Sequence, residues 1–309
     1  MQCATRGSRG SRRVRRATLP AVTARSEAPA SFRSTADRPG PLELVRTGVA
    51  EVLSRRRLIG YLVRADVKKK GSDTLLGNIW WVVDPLLQML IYVVLVSVIF
   101  VRPQPDFALF VFCAILPWKW FQSAMTDGIS SVVGMEKVIK QVNFPKLVLP
   151  FASVMAGIVN FGFGLIPLAA LVVLFYPGRA SIFILTIPLV AVVQLVFTLA
   201  LATALAAVNV FYRDVGNLAR HFLRFWFYLS PGLYAADLIG KVSEKWAPAG
   251  FLMSINPWAT LFTAYRDAIY DERLPDFVAL GILLAVSVAL LLGAILFFKR
   301  VEPSFAKVL

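Results

Sequence analysis

A chain of 309 residues with 58% hydrophobic and only 17% charged side chains, and a mean hydropathy of +0.68, is too apolar for a soluble globule. Its formal net charge of +15 is concentrated at the start: residues 1–40 carry nine Arg against two acids, residues 41–78 eight Lys or Arg against four, and the rest sixteen against twelve. A nucleic-acid partner would need a basic face that the apolar remainder lacks, so the asymmetry reads as a topology signal and no nucleic acid is expected.

Residues 1–40 mix Gly, Ser, Ala, Pro and Arg without apolar periodicity, a composition that cannot offset the entropy of ordering. They read as a disordered basic arm, with a transit-like segment or an over-extended start as the open alternatives. From 41 to 72 the pattern changes. Val45, Val49, Val52, Ile59, Val63 and Val67 fall mostly at helical spacing, while Arg46, Arg55, Arg57, Arg64 and Lys68 lie elsewhere around the wheel. This predicts an amphipathic interfacial helix drawn to anionic headgroups, closed by Lys68-Lys69-Lys70 and broken by Gly71, Ser72 and Asp73.

The segment 73–309 holds stretches long enough to cross the hydrocarbon, which takes about 20 helical residues. Six spans are expected near 80–101, 107–127, 147–175, 181–210, 217–235 and 276–298, so the fold class is an all-α integral membrane protein. The second span is diluted by Lys119, Gln122, Ser123 and Asp127, and the fifth is interrupted at Ser230-Pro231-Gly232. Lys137, Lys140, Lys146, Arg213, Arg220, Arg224, Lys299, Arg300 and Lys307 mark one side as cytoplasmic, and an even number of spans puts both termini there.

Little in this block is catalytic. Cys3 and Cys113 cannot build a disulfide framework, the single His221 cannot supply a metal cluster, and no phosphate-cradling Gly-x-x-x-x-Gly-Lys-Ser/Thr loop occurs. Asp84, in the first turn of the first span, reads as a helix-terminus anion. Lys119 falls about 18 Å into the second span at 1.5 Å per residue, where an unpaired cation is costly, so it faces a water-filled cavity or the helix breaks near Pro117. Trp118, Trp120 and Phe121 surround it, and Tyr92 stands in the first span. Flat aromatic faces at that depth suit stacking against sugar rings in a passage for a polar polymer.

Taken together, Arg64-Ala65-Asp66, Leu76-Gly77-Asn78-Ile79-Trp80, Asp84-Pro85-Leu86, Leu116-Pro117-Trp118, Phe144-Pro145-Lys146, Asn209-Val210-Phe211-Tyr212-Arg213-Asp214, Leu229-Ser230-Pro231, Asn256-Pro257 and a terminal Phe305 resemble the permeases of ABC-2 type polysaccharide exporters, which move O-antigen, capsule or teichoic acid chains. The resemblance covers about residues 50–309. It implies a homodimeric transport subunit, not an enzyme, in the cytoplasmic membrane, bound to two copies of an ATPase that holds ATP and Mg. The substrate would be a lipid-linked glycan, and this chain would bind no cofactor itself.

In such permeases the stretch between spans two and three is a coupling helix seated on the ATPase. Here that is Gly134, Met135, Glu136, Lys137, Val138, Ile139, Lys140 and Val142, with Met135, Val138, Ile139 and Val142 on one helical face. Arg64 and Asp66 on the N-terminal helix belong to the same interface. Short re-entrant helices between spans five and six would form an outer gate, here Ser230, Pro231, Tyr234, Asn256 and Pro257, within about 232–271. Gly232 stands where a bulky aliphatic is common, and Gln141 replaces a frequent basic residue. Two other classes fit the spans: an ABC-2 exporter of a small molecule or drug, and a membrane glycosyltransferase, which would show activity without the ATPase.

Overall fold

A computed structural model describes residues 39–71, 75–99, 105–234 and 247–309. The basic arm, apart from its last two residues, and residues 235–246 of the stretch expected to form the re-entrant helices lie outside the described residues. The N-terminal amphipathic segment is helical but divided at Arg55 into α1 (Pro41–Ser54) and α2 (Arg56–Gly71). There follow α3 (Trp80–Ile99), α4 (Phe107–Gly134), the short α5 (Glu136–Gln141), α6 (Val148–Phe175), α7 (Ile187–Phe211), α8 (Val215–Leu229), α9 (Ala247–Ile255), α10 (Pro257–Ile269) and α11 (Phe277–Val308). Among the described residues there is no strand.

Four segments have the length and apolarity to cross a membrane: Phe107–Gln141, Val148–Phe175, Ile182–Phe211 and Phe277–Val308. The apolar stretch Trp80–Val96 is shorter. Helix α8 differs from the fifth span expected at 217–235, because its 15 residues reach only about 22 Å before Ser230 ends it. The proline at 231 has no N–H to continue the ladder and disfavours a helical residue before it.

Helix α4 is the centre of the molecule. It packs against α3, α6, α7, α8 and α10, while α7 lies along α11, α1 rests on α11 and α2 on α6. Its polar residues Lys119, Gln122, Ser123 and Asp127, which weaken it as a lipid-facing span, are partly buried. Small residues let the backbones close up: a Cβ on Gly128 would meet Ala202 of α7 at 2.9 Å, and one on Gly157 of α6 would meet the Trp120 indole at 2.9 Å. Between lipid-like helices, where burial from water supplies little drive, this contact area is the main cohesive force.

The helix runs unbroken through Pro117. Gln194 of α7, fully buried, donates through Nε2 to the Pro117 carbonyl at 2.9 Å and accepts at Oε1 from the Tyr265 hydroxyl at 2.9 Å, tying α4, α7 and α10 together. Of the two readings of Lys119, the break near Pro117 is thus excluded.

Candidate functional site

One end of the bundle collects Lys137, Lys140, Lys146, Arg213, Lys299 and Arg300, and is called the basic end below. Here α5 projects between α4 and α6. Its Glu136 is 2.7 Å from Lys140 and 3.6 Å from Arg213, which follows α7, and Lys140 also donates to the backbone oxygen of Leu309 at the end of α11. The hydrogen bond from Lys140, aided by Arg213 and Lys137, holds the Glu136 carboxyl below its ordinary pKa. A second knot lies beside it: Lys299 bridges Glu51 of α1 at 2.8 Å and Glu302 at 2.7 Å, and Glu302 accepts from the Lys146 backbone N–H at 2.8 Å.

The four apolar residues expected on one face of α5 do not act together. Val138 is 42% exposed, with Met135 and Val142 also exposed, whereas Ile139 is 8% exposed and packs into a cluster that includes Val132, Leu147 and Phe305. A six-residue helix lying across the bundle end turns one side chain inward and leaves the others out. Gly134 and Lys137 complete the projection. On α2, Arg64 is exposed, but Asp66 points to the bundle, 3.0 Å from Lys70, which in turn reaches Asp127 of α4 at 2.6 Å. Burial opposes the charged form of Lys70, yet Asp127 and Asp66 outweigh it and raise its pKa.

A polar seam runs from that knot along the bundle. Asp84, Gln88 and Tyr92 recur every fourth residue on α3, Lys119, Ser123 and Asp127 on α4, and Arg220, Arg224 and Tyr228 on α8, so each set shares one helical face. Two contacts join the sets across helices, Lys119 donating to Asp84 at 2.6 Å and the Tyr92 and Tyr228 hydroxyls lying 3.4 Å apart, while within α4 Ser123 donates to Asp127 at 3.2 Å. Asp84 is therefore the partner of Lys119 and not a helix cap, and the cation at depth is neutralised beside a cavity.

The aromatic residues around Lys119 divide differently from the sequence expectation. Trp118 and Phe121 are buried in an aromatic core, with Trp118 at 4.7 Å from Trp258, 5.2 Å from Phe227 and 5.4 Å from Phe121. Trp120 stacks on Phe161 at 4.7 Å and is 3% exposed. Consecutive helical residues point about 100° apart, so four in a row cannot line one passage. Lys119 and Tyr92 are the members of the expected path that lie on the seam.

At the opposite end the residues expected in a gate do converge. Asn256 caps α10 through Oδ1, accepting from the Trp258 N–H at 3.1 Å and from Trp226 Nε1 at 3.1 Å, and its Nδ2 donates to Ser230 Oγ at 2.9 Å. Pro257 opens α10, and the Tyr234 hydroxyl donates to the Leu229 carbonyl at 3.1 Å. The organiser is Arg266, which is not among the residues singled out in the sequence. It is 5% exposed, lies 3.7 Å over the Phe110 ring, and donates to the Pro231 and Gly232 carbonyls at 2.6 Å each. It satisfies two buried carbonyls of the turn that follows α8. Its one visible signal was an arginine inside the apolar helical run that begins at Asn256-Pro257. Nearby, Arg179 links Asp106 at 3.0 Å to the Tyr270 carbonyl at 2.9 Å.

Among the described residues no cluster of His, Cys, Asp or Glu could hold a metal ion. No profile of a known protein family matches the chain. It is similar to the O-antigen export system permease protein RfbA of Myxococcus xanthus, 34% identical over 259 residues, which covers 84% of this chain and 98% of that protein. Two proteins of the same description from Klebsiella pneumoniae are 27% and 26% identical over 253 residues, each covering 82% of this chain and 95% of its own length.

Proposed function

The chain belongs to the O-antigen export system permeases, and on that premise we propose how it serves as the membrane subunit of an ABC exporter for O-antigen polysaccharide. It is a multi-pass transport subunit, not an enzyme. The observation that carries the reading is the Myxococcus alignment, which takes in 98% of that permease and so spans basic end, seam and gate alike. The substrate in this proposal is a lipid-linked glycan moving outward across the cytoplasmic membrane. Six crossings, with α3 and α8 as the shorter ones and both termini cytoplasmic, agree with the basic residues gathered at one end.

Two copies of the chain and two ATPase subunits make the working assembly. The second copy covers the exposed apolar face of α8, Leu218, Phe222 and Phe225, beside a crevice of about 900 Å³ between α7, α8 and α11. The ATPases hold ATP and Mg and dock on Met135, Val138 and Val142 with Gly134, Lys137 and Arg64 at the rim. Movement of α5 reaches α8 through Glu136 and Arg213, and through buried Asn209, which donates to the Ile129 carbonyl of α4 at 3.1 Å and accepts from the Gly216 N–H of α8 at 3.1 Å. The polar faces of α3 and α8 then line the glycan passage, and the Ser230–Asn256–Arg266 turn closes its outer end. Depleting the chain should trap lipid-linked glycan on the cytoplasmic side and remove it from the cell surface, with recovery on re-expression. Unchanged surface glycan in depleted cells would refute the reading.

A further inference from the structure

Where α2 ends and α3 begins, a cavity of about 390 Å³ opens beside α4 and α6. That is within the range of small-molecule pockets, about 300–1,000 Å³. Trp80, Trp81, Asp84, Lys119, Ser123 and Asn160 line it. Trp80, 43% exposed, offers a flat apolar face. Asp84 and Lys119 use one contact with each other, which leaves the carboxylate further lone pairs and the ammonium further protons. Asn160 supplies the independent sign of a ligand: its Oδ1 is buried and accepts no hydrogen bond from the protein, a cost that a site for a donor would justify.

The electrostatics select the ligand class. Lys119 is neutralised by Asp84, and Lys70, also on the lining, is held by Asp66 and Asp127 behind it, so both ammonium groups of the lining are already paired with carboxylates. A phosphate would meet no spare positive charge there. Hydroxyl groups suit it: they donate to Asp84 and Asn160, accept from Lys119, and belong to rings whose C–H faces stack on tryptophan. We propose that this cavity is a binding site for a neutral sugar unit, a pyranose of the exported glycan, held at the end of the seam before passage. The proposal rests on the glycan-permease reading and assigns that reading's first sugar contact to α2, α3, α4 and α6.

The test uses the permease with its ATPase in lipid nanodiscs. The probe is the radiolabelled oligosaccharide that mild acid releases from the host's own surface glycan, followed by equilibrium dialysis. Wild type should bind it saturably, Asn160→Leu and Trp80→Leu should each weaken binding about tenfold, and inorganic phosphate should not compete. Since Asn160→Leu removes an unsatisfied buried acceptor, its thermal midpoint should hold or rise, which separates lost affinity from lost fold. Wild-type binding in both variants, or displacement by phosphate, overturns the site. Unchanged surface glycan after depletion of the chain defeats the exporter reading itself. Depletion that removes surface glycan, combined with variants that bind and restore it like wild type, defeats the sugar site alone.

Discussion

At the scale of single residues, two charges decide more than their number suggests. Arg266 holds two turn carbonyls that have no helical partner, so Arg266→Met should destabilise the protein by about 2–5 kcal/mol, read as a lowered thermal midpoint in detergent. Arg266→Lys should recover only part of it, since one ammonium cannot reproduce the planar fork on both carbonyls. The Lys119–Asp84 pair is less enclosed, with Asp84 58% exposed, so its loss should be milder. Asp84→Ala should cost about 1 kcal/mol by leaving Lys119 unpaired, and adding Lys119→Met should return most of it. Equal midpoints for the single and double variants would show that the pair is not coupled. Both residues stood out in sequence as polar groups in apolar surroundings, but sequence spacing carries no information on which of them touch across helices.

At the scale of elements, α5 separates docking from folding. Val138 and Val142 point outward, so Val138→Asp with Val142→Asp should leave the permease folded yet unable to retain the ATPase on purification. Ile139→Asp should instead lower the yield of folded protein, because it places a carboxylate in the cluster under α5. Retention of the ATPase by the first variant would remove α5 from the interface. The pH dependence has a definite sign. The Glu136 carboxyl has a folded pKa below its unfolded value near about 4.3, so its stabilising contacts are present above that pH and are lost only as acid takes it through the lower folded value. Hydrogen exchange of α5 should therefore be insensitive to this group between about pH 5 and 8, after correction for intrinsic rates. The long apolar helices were legible, since apolar runs and the Asn256-Pro257 helix start act through local backbone chemistry, whereas the division at Arg55 and the short extent of α8 were not. The inward turn of Ile139 was not, because a helix of six residues takes its orientation from what it lies on.

At the scale of the whole molecule, Gly134 closes α4 before the crossing made by α6 and Gly178 follows it, and both have open space around them. Cysteines at these positions should label from opposite sides of the membrane in intact cells and inverted vesicles. Labelling of both from one side would overturn the six-crossing topology and the common cytoplasmic location of the termini.

By itself the sequence determined the class of the molecule: its all-helical membrane character, the positions of its long apolar helices, the gathering of basic residues at one end, and membership in a permease family visible through short motifs. These follow from period, composition and charge, which act along the chain over a few turns. Only the tertiary structure decided that Trp118 and Phe121 are core rather than passage, that Asp84 answers Lys119, that Asp66 and Asp127 share Lys70, and that Arg266 secures the turn after α8. Those outcomes depend on the rotation of each helix about its axis and on which neighbour it meets. In a bundle where nearly every side chain is apolar, the hydrophobic pattern distinguishes protein-facing from lipid-facing surfaces only weakly, so close packing and the pairing of a few polar groups set the arrangement.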